Sequence, residues 1–288
     1  MSKSKFFIFI ILCNILCFIS CSSDKKSDAQ HGKYKDTIYV AVTPTFDCLP
    51  IIIAKEAGVS DSRDHNIIIK YFNSKSDCDT ALAGGSVSAI FTDYMHAARL
   101  KENWKEMVRQ RRGKKAKPDS LSIFQHDNLQ LCLLTNFKAR INEAKQLTDK
   151  MIALERKSPE ALVAQHVLDS VHLSGDKTFL INVQSYPVRK NMLFNNIMDA
   201  VVLPEPYAAE ARKAGHKSIY STSRMDDKPF GNMVATRHVA VIKHMYNLGC
   251  HALNSTDIHN YDSILIKNLG VSKGDITAII KQKFTPIK

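Results

Sequence analysis

Short β-branched runs alternate with longer amphipathic stretches along most of this chain, and the alternation predicts its elements. Residues 38–42 (Ile-Tyr-Val-Ala-Val) read as a strand that ends at Thr43-Pro44. Residues 49–58 follow as a helix, with Pro50 in the first turn and Gly58 at the stop. A second strand is expected at 67–72, a short helix at 77–84, a third strand at 87–91 running to Thr92-Asp93, and a helix at 94–109. Beyond a basic loop at 113–118, residues 121–124 and 129–134 read as strands crossing between two lobes. The same grammar then returns: helix 142–149, strand 151–154, helix 159–172, strand 178–183, helix 187–195, strand 200–203, helix 207–214 and strand 218–220. Residues 224–231 are rich in turn formers and lead back to the first lobe. A helical or mixed stretch follows, then helices at 261–269 and 273–282. The expectation is an α/β fold, each lobe a mostly parallel sheet flanked by helices.

The start of the chain follows a different pattern. Lys3 and Lys5 precede an apolar run over residues 6–19 broken only by Asn14, and Ser20-Cys21 closes it. A run of about 14 residues is short of the roughly 20 that span a bilayer, and with a basic start it reads as a secretory signal. The small residue before Cys21 resembles the lipobox of bacterial lipoproteins. That resemblance implies removal of residues 1–20, acylation of Cys21 (palmitate among the chains) and a tether over 21–35. An ordinary cleaved signal with an incidental cysteine is the other reading. Two or more acyl chains hold a protein on a membrane where one would not. The expected location is the cell envelope, lipid-anchored and facing the periplasm or the exterior.

Charge and cysteines narrow the function classes. The formal net charge is +12, two units of which leave with Lys3 and Lys5. The densest basic run, Arg109, Arg111, Arg112, Lys114, Lys115 and Lys117, has no interleaved aromatics. In an exported chain it reads as a solvated loop or a membrane-facing patch, not as a nucleic-acid site. Cys48, Cys78, Cys132 and Cys250 lie outside the leader at spacings that form no CxxC pair, which argues against zinc. Cys48 and Cys78 sit in loops expected to be near each other; unpaired, semi-buried thiols are favoured over a bridge.

Catalytic motifs are lacking: there is no GxSxG, GxxxxGK[ST], HExxH or GxGxxG. The eleven histidines form no i, i+4 pair with a carboxylate partner and read as scattered surface residues. No metal, no cofactor and no catalytic residue is expected. What remains are loops at the carboxyl ends of predicted parallel strands, where open α/β sheets bind ligands. They hold Thr43, Thr45 and Phe46 after the first strand, Ser76 after the second, Asp93 after the third, and Gln184, Tyr186, Glu205 and Tyr207 in the second set. Hydroxyls, amides, acids and aromatics of this kind suit a polar small-molecule pocket. Thr43 and Thr45 either offer hydroxyls to a ligand or serve the turn. Phe46 either stacks on a planar ligand or packs under the loop. Ser76 caps a helix and could receive an anion there, and Asp93 caps the next helix or accepts from a ligand amine. Glu205, held between Pro204 and Pro206, needs a ligand cation or a lobe-crossing arginine if buried.

Three fragments in order carry a more specific likeness. They are residues 40–58 (with Leu49-Pro50-Ile51-Ile52-Ile53-Ala54-Lys55-Glu56-Ala57-Gly58), 81–93 (Ala-Leu-Ala-Gly-Gly-Ser-Val-Ser-Ala-Ile-Phe-Thr-Asp) and 200–208 (Ala-Val-Val-Leu-Pro-Glu-Pro-Tyr-Ala). Together they resemble the substrate-binding lipoproteins of ABC importers, in the group for sulfonates, taurine, nitrate and thiamine-pyrimidine precursors. Ser88 departs from the pattern, which usually has an acid there. The resemblance spans residues 36–217 and implies a two-lobe periplasmic-binding-protein type II fold joined by two crossover segments. Residues 36–120 would begin lobe 1, 121–224 would form lobe 2 with the crossover strands, and 225–288 would return to lobe 1. It also implies a non-enzymatic binder that closes on a small-molecule ligand and delivers it to an ABC permease. The ligand would be zwitterionic or anionic and sulfonate-like, or aminopyrimidine-like. A sensing lipoprotein without a transporter, or an enzyme on the same scaffold, are the competing classes.

Overall fold

The computed structural model describes residues 36–59, 65–173, 177–225, 228–272 and 283–288. The signal segment, Cys21, the tether and the helix expected at 273–282 lie outside them.

The chain opens with β1 (Asp36–Val42), α1 (Leu49–Glu56), β2 (His65–Tyr71), α2 (Lys75–Gly84), β3 (Ala89–Asp93), α3 (Tyr94–Arg112) and β4 (Ser122–His126). It continues through β5 (Leu131–Thr135), β6 (Met151–Leu154), α4 (Pro159–Asp169), β7 (Phe179–Asn182), α5 (Tyr186–Phe194), β8 (Ala200–Pro204), α6 (Tyr207–Lys213) and β9 (Lys217–Ser221). β10 (Gly231–Ala235), α7 (Val239–Ser255) and α8 (Asp262–Leu269) complete the described elements.

Two five-stranded sheets result, in the orders β2-β1-β3-β10-β4 and β7-β6-β8-β5-β9. In the first, β2, β1 and β3 are parallel and β10 runs antiparallel between β3 and β4. In the second, β7, β6 and β8 are parallel and β5 runs antiparallel between β8 and β9. Each lobe therefore takes into its sheet one strand that has just come from the other lobe. Alternate residues of each strand feed opposite faces. Val40 and Val42 join the core under α1 and α7, while Ala41 joins the core under α2 and α3. In the second sheet Leu133 and Ile152 face α4, whereas Leu134 and Ala153 face Tyr186 and Leu193 of α5. α1 packs against α7 so closely that a Cβ on Gly249 would lie 1.8 Å from the Pro50 carbonyl oxygen.

Three expectations need correction. The helix at 142–149 is a single 3-10 turn, Ala144–Leu147. The Gln146 side chain takes the Asn142 and Glu143 amides at 2.6 and 3.2 Å, and Asp149 turns left-handed at φ +57°, which stops propagation. The mixed stretch after residue 232 resolves into β10 and the long helix α7. The cap of α2 is Ser74, one residue before the helix begins at Lys75; its hydroxyl accepts from the Asp77 amide at 3.1 Å, so Ser76 is not the cap. All four body cysteines are free and buried.

Candidate functional site

The carboxyl ends of the parallel strands in the two sheets face one another, and the loops that follow them touch across the lobes. The Phe46 amide, after β1, donates to the Glu205 carbonyl, after β8, at 3.0 Å. The Tyr186 amide, after β7, donates to the Asn73 carbonyl, after β2, at 3.2 Å. Four helices start here under caps from their own loops: Ser74 on α2, Asp93 on α3, Ser158 on α4 and Ser185 on α5. Small oxygen-bearing residues at these positions satisfy amides that the first helical turn leaves open.

The first lobe contributes a buried polar floor. Thr43 and Thr45 are fully buried, their hydroxyl oxygens 2.9 Å apart, and Thr45 also donates to the Thr43 carbonyl at 3.3 Å. Lys75 Nζ donates to Asp47 Oδ2 at 3.2 Å with both side chains almost wholly buried. Burial alone would raise the Asp47 pKa, but the charge of Lys75, the nearby His126 and hydrogen bonds from Thr45 and Lys75 together hold the carboxyl below its usual range. Asp47 Oδ1 has no protein partner. His126 lies beside this pair, stacked on Tyr246 at 5.4 Å, with neither ring nitrogen partnered. Its burial pushes the imidazole down to about 4, so it is neutral at pH 7. Gly231, opposite it in the β4–β10 register, leaves the space: a Cβ there would fall 2.0 Å from His126 Cε1.

A charged bridge joins the lobes. The fully buried His96 of α3 places Nδ1 2.6 Å from Asp79 Oδ2 of its own lobe and Nε2 3.1 Å from Glu155 Oε1 of the other. Burial works against the imidazolium, yet its bonds to Asp79 and Glu155 and the nearby Asp93 push its pKa up to about 10. Ser76 Oγ donates to the same Glu155 oxygen at 3.2 Å. Burial raises the Glu155 carboxyl, but His96, with help from Arg189 and Ser76, brings the pKa below its ordinary value. Arg99 adds a bond to the Lys157 carbonyl. Behind the bridge, Glu160 accepts from the Glu155 amide at 2.9 Å and from Ser158 Oγ at 3.0 Å. It also pairs with the fully buried Arg189 of α5, which reaches the Val202 carbonyl at 2.6 Å.

The nine expected ligand residues all lie on these facing loops or helix starts, but most of their side chains are engaged within the protein. Phe46 packs into the core under α1. Asp93 Oδ1 caps α3, accepting from the Met95 and His96 amides at 2.9 and 3.0 Å. Gln184 is exposed. Tyr186 and Tyr207 pack in the second lobe's core with ring centroids 5.8 Å apart. Glu205 is buried and does have an arginine, but one from its own lobe: Arg212 lies 2.7 Å from Oε1, and Oε2 accepts the Ala209 amide at 2.9 Å. The histidines are not all on the surface either, since His96, His126 and His216 are buried. Sequence reasoning passed over Asp47, Lys75, His96 and Glu155. Asp47 and Lys75 are in or beside loops that strand position singles out, and Glu155 directly follows a predicted strand.

Two α/β lobes, linked by two crossings and opposed at their strand ends, make up the two-lobe periplasmic-binding-protein fold. The solved structures it resembles bear this out at low sequence identity. The alkanesulfonate-binding protein SsuA from Xanthomonas axonopodis pv. citri, bound to MOPS, superposes with TM-score 0.69 at 14% identity, over 87% of this chain and 85% of that one. The ligand-binding component of an ABC-type import system from Staphylococcus aureus, with zinc bound, gives TM-score 0.70 at 13% identity over 88% and 86%. The enzyme DszB, as its C27S mutant in complex with biphenyl-2-sulfinic acid, gives 0.57 at 14% over 88% and 87%. No family model matches the chain, and no curated protein matches it.

Proposed function

We propose that this chain is a solute-binding protein of an ABC importer, working in the cell envelope and capturing a small polar organic solute between its lobes. The observation that carries this reading is the meeting of strand-end loops and capped helix starts from both sheets across one interlobe boundary. A ligand bridging such loops stabilises the closed form through its higher affinity for it. Binding is favoured over catalysis because the alkanesulfonate-binding protein and the import-system component superpose with TM-scores of 0.69 and 0.70, against 0.57 for the enzyme DszB. The ligand class is a sulfonate-like anion or zwitterion, or an aminopyrimidine. Delivery to a permease and anchoring through acylated Cys21 complete the reading.

Thermal unfolding of the purified chain against sulfonates, taurine, nitrate, aminopyrimidines, thiamine, amino acids and divalent metals tests it. A cognate ligand at 100 times its Kd is expected to add about 2.7 kcal/mol. No shift with any class on a folded sample counts against solute capture, and turnover of a bound compound would move the chain to the enzymes. Anchoring has its own check: Cys21→Ser is expected to leave the membrane fraction for the soluble envelope fraction. Unchanged fractionation would remove the acyl anchor.

A further inference from the structure

The basic run that the cleft does not use sits at a defined place in the fold. β1, β2 and β3 point their carboxyl ends at the cleft, so their amino ends lie at the opposite pole of the first lobe. α3 starts at the cleft with Tyr94 and runs 19 residues back, about 28 Å at 1.5 Å per residue. It therefore brings Arg109, Arg111 and the following loop to the pole where Asp36 opens β1.

This loop is pinned. The Trp104 indole, buried under the sheet, donates to the Asp119 carbonyl at 2.6 Å. Arg112 turns inward, donating to the Ala83 and Leu82 carbonyls at 2.8 and 3.2 Å and pairing with Asp119 at 3.2 Å. The Ala116 amide closes a turn on the Gly113 carbonyl at 2.9 Å. Arg109, Arg111, Lys114, Lys115 and Lys117 are left exposed, and among the described residues none has a carboxylate within ion-pair distance. Glu102 and Glu106 lie nearer the cleft on the same helix, and Glu106 accepts from Gln110 at 2.9 Å.

We propose that this pole rests on an anionic membrane surface, with the cleft held at the far side of the lobe. A lipid surface reads fixed cations by charge alone and needs neither a groove nor aromatic stacking, which suits a patch that has no aromatic residue from 105 to 120. The chain enters the fold at this same pole, and the 15 residues from Cys21 to Asp36 reach at most about 50 Å. Only that tether argument rests on the anchoring proposed above.

The test uses the full chain carrying Cys21→Ser, so that no acyl chain contributes, and measures co-sedimentation with vesicles of phosphatidylcholine alone or with phosphatidylglycerol added. Binding is expected to need the anionic lipid and to fall at high salt as the cations are screened. Each cation lost should weaken partitioning about fivefold, so Lys114→Gln/Lys115→Gln/Lys117→Gln should lose roughly a hundredfold. The leader is common to both proteins, so their difference reports the patch; matching thermal melts confirm that the variant is folded. Equal partitioning of parent and variant, or equal binding to both vesicle types, overturns the proposal and leaves Cys21 anchoring untouched. Displacement from vesicles by a single-stranded RNA that the variant no longer binds would also overturn it, assigning the patch to nucleic acid.

Discussion

Replacing His96 by alanine is expected to destabilise the folded chain by about 3–5 kcal/mol, because it leaves buried carboxylates of both lobes without their shared cation. Asp79 and Glu155 would keep only fragments of their hydrogen bonding, and Asp79 Oδ1 already has no partner. Equilibrium unfolding in denaturant reads the loss directly, and a loss under about 1 kcal/mol would mean that the bridge holds nothing together. His96→Gln separates charge from shape, since it keeps hydrogen-bonding capacity without the positive charge. The pH dependence follows from the direction of the shift. The folded-state pKa of His96 is raised from 6.5 to about 10, so its contribution is complete below 6.5 and is lost as pH rises through about 10. Parent stability should therefore decline on the alkaline side of neutrality, and His96→Gln should flatten that decline. Parallel curves for the two proteins would show that His96 carries no charge in the fold. On the acid side Glu155, whose pKa is lowered, contributes above its ordinary 4.5 and loses that contribution as pH falls through its folded value.

Arg189→Met is the second large expectation, again about 3–5 kcal/mol. The guanidinium is fully buried, meets both Glu160 oxygens at 3.1 Å and reaches the Val202 carbonyl, so it ties α5 to α4 and to β8. Methionine fills much of the volume but leaves Glu160 charged and buried beside the Glu155 amide. The double variant Arg189→Met/Glu160→Leu removes both charges and should recover a large part of the loss, because apolar replacement of a whole buried pair is often neutral. A double-mutant cycle gives the coupling. Additive losses would show that the two residues act independently, despite their distance.

The parallel strands were legible because β-branched runs stand between turn formers, as at 38–42 and 200–203. β10 was not, since Gly231 and Asn232 leave only Met233-Val234-Ala235 as an apolar signal. Its identity as a strand comes from β3 and β4 on either side. For α7 the buried positions Ile242, Met245, Tyr246, Gly249 and Leu253 do keep helical spacing, but Gly249 weakens the signal until Pro50 explains it. At the site, strand position picks the right loops and says nothing of how they pair. His96 and Glu155 are 59 residues apart, and only the packing of the two lobes against each other makes one the partner of the other. Glu205 shows the converse: its need for a partner could be inferred from burial, but Arg212 meets it from the next helix and not from across the cleft.

The exchange of strands between lobes also sets an order of assembly. Every strand of the second sheet lies between residues 131 and 221, so that lobe is complete in one uninterrupted piece of chain. The first sheet begins earlier but stays open, because β4 reaches it only through β10, at 231–235. As the polypeptide emerges amino end first, the lobe that starts second is therefore the first able to finish. Until residue 235 is out, β3, which ends at Asp93 just before the helix that carries His96, keeps an unpaired edge, and the candidate site remains half built.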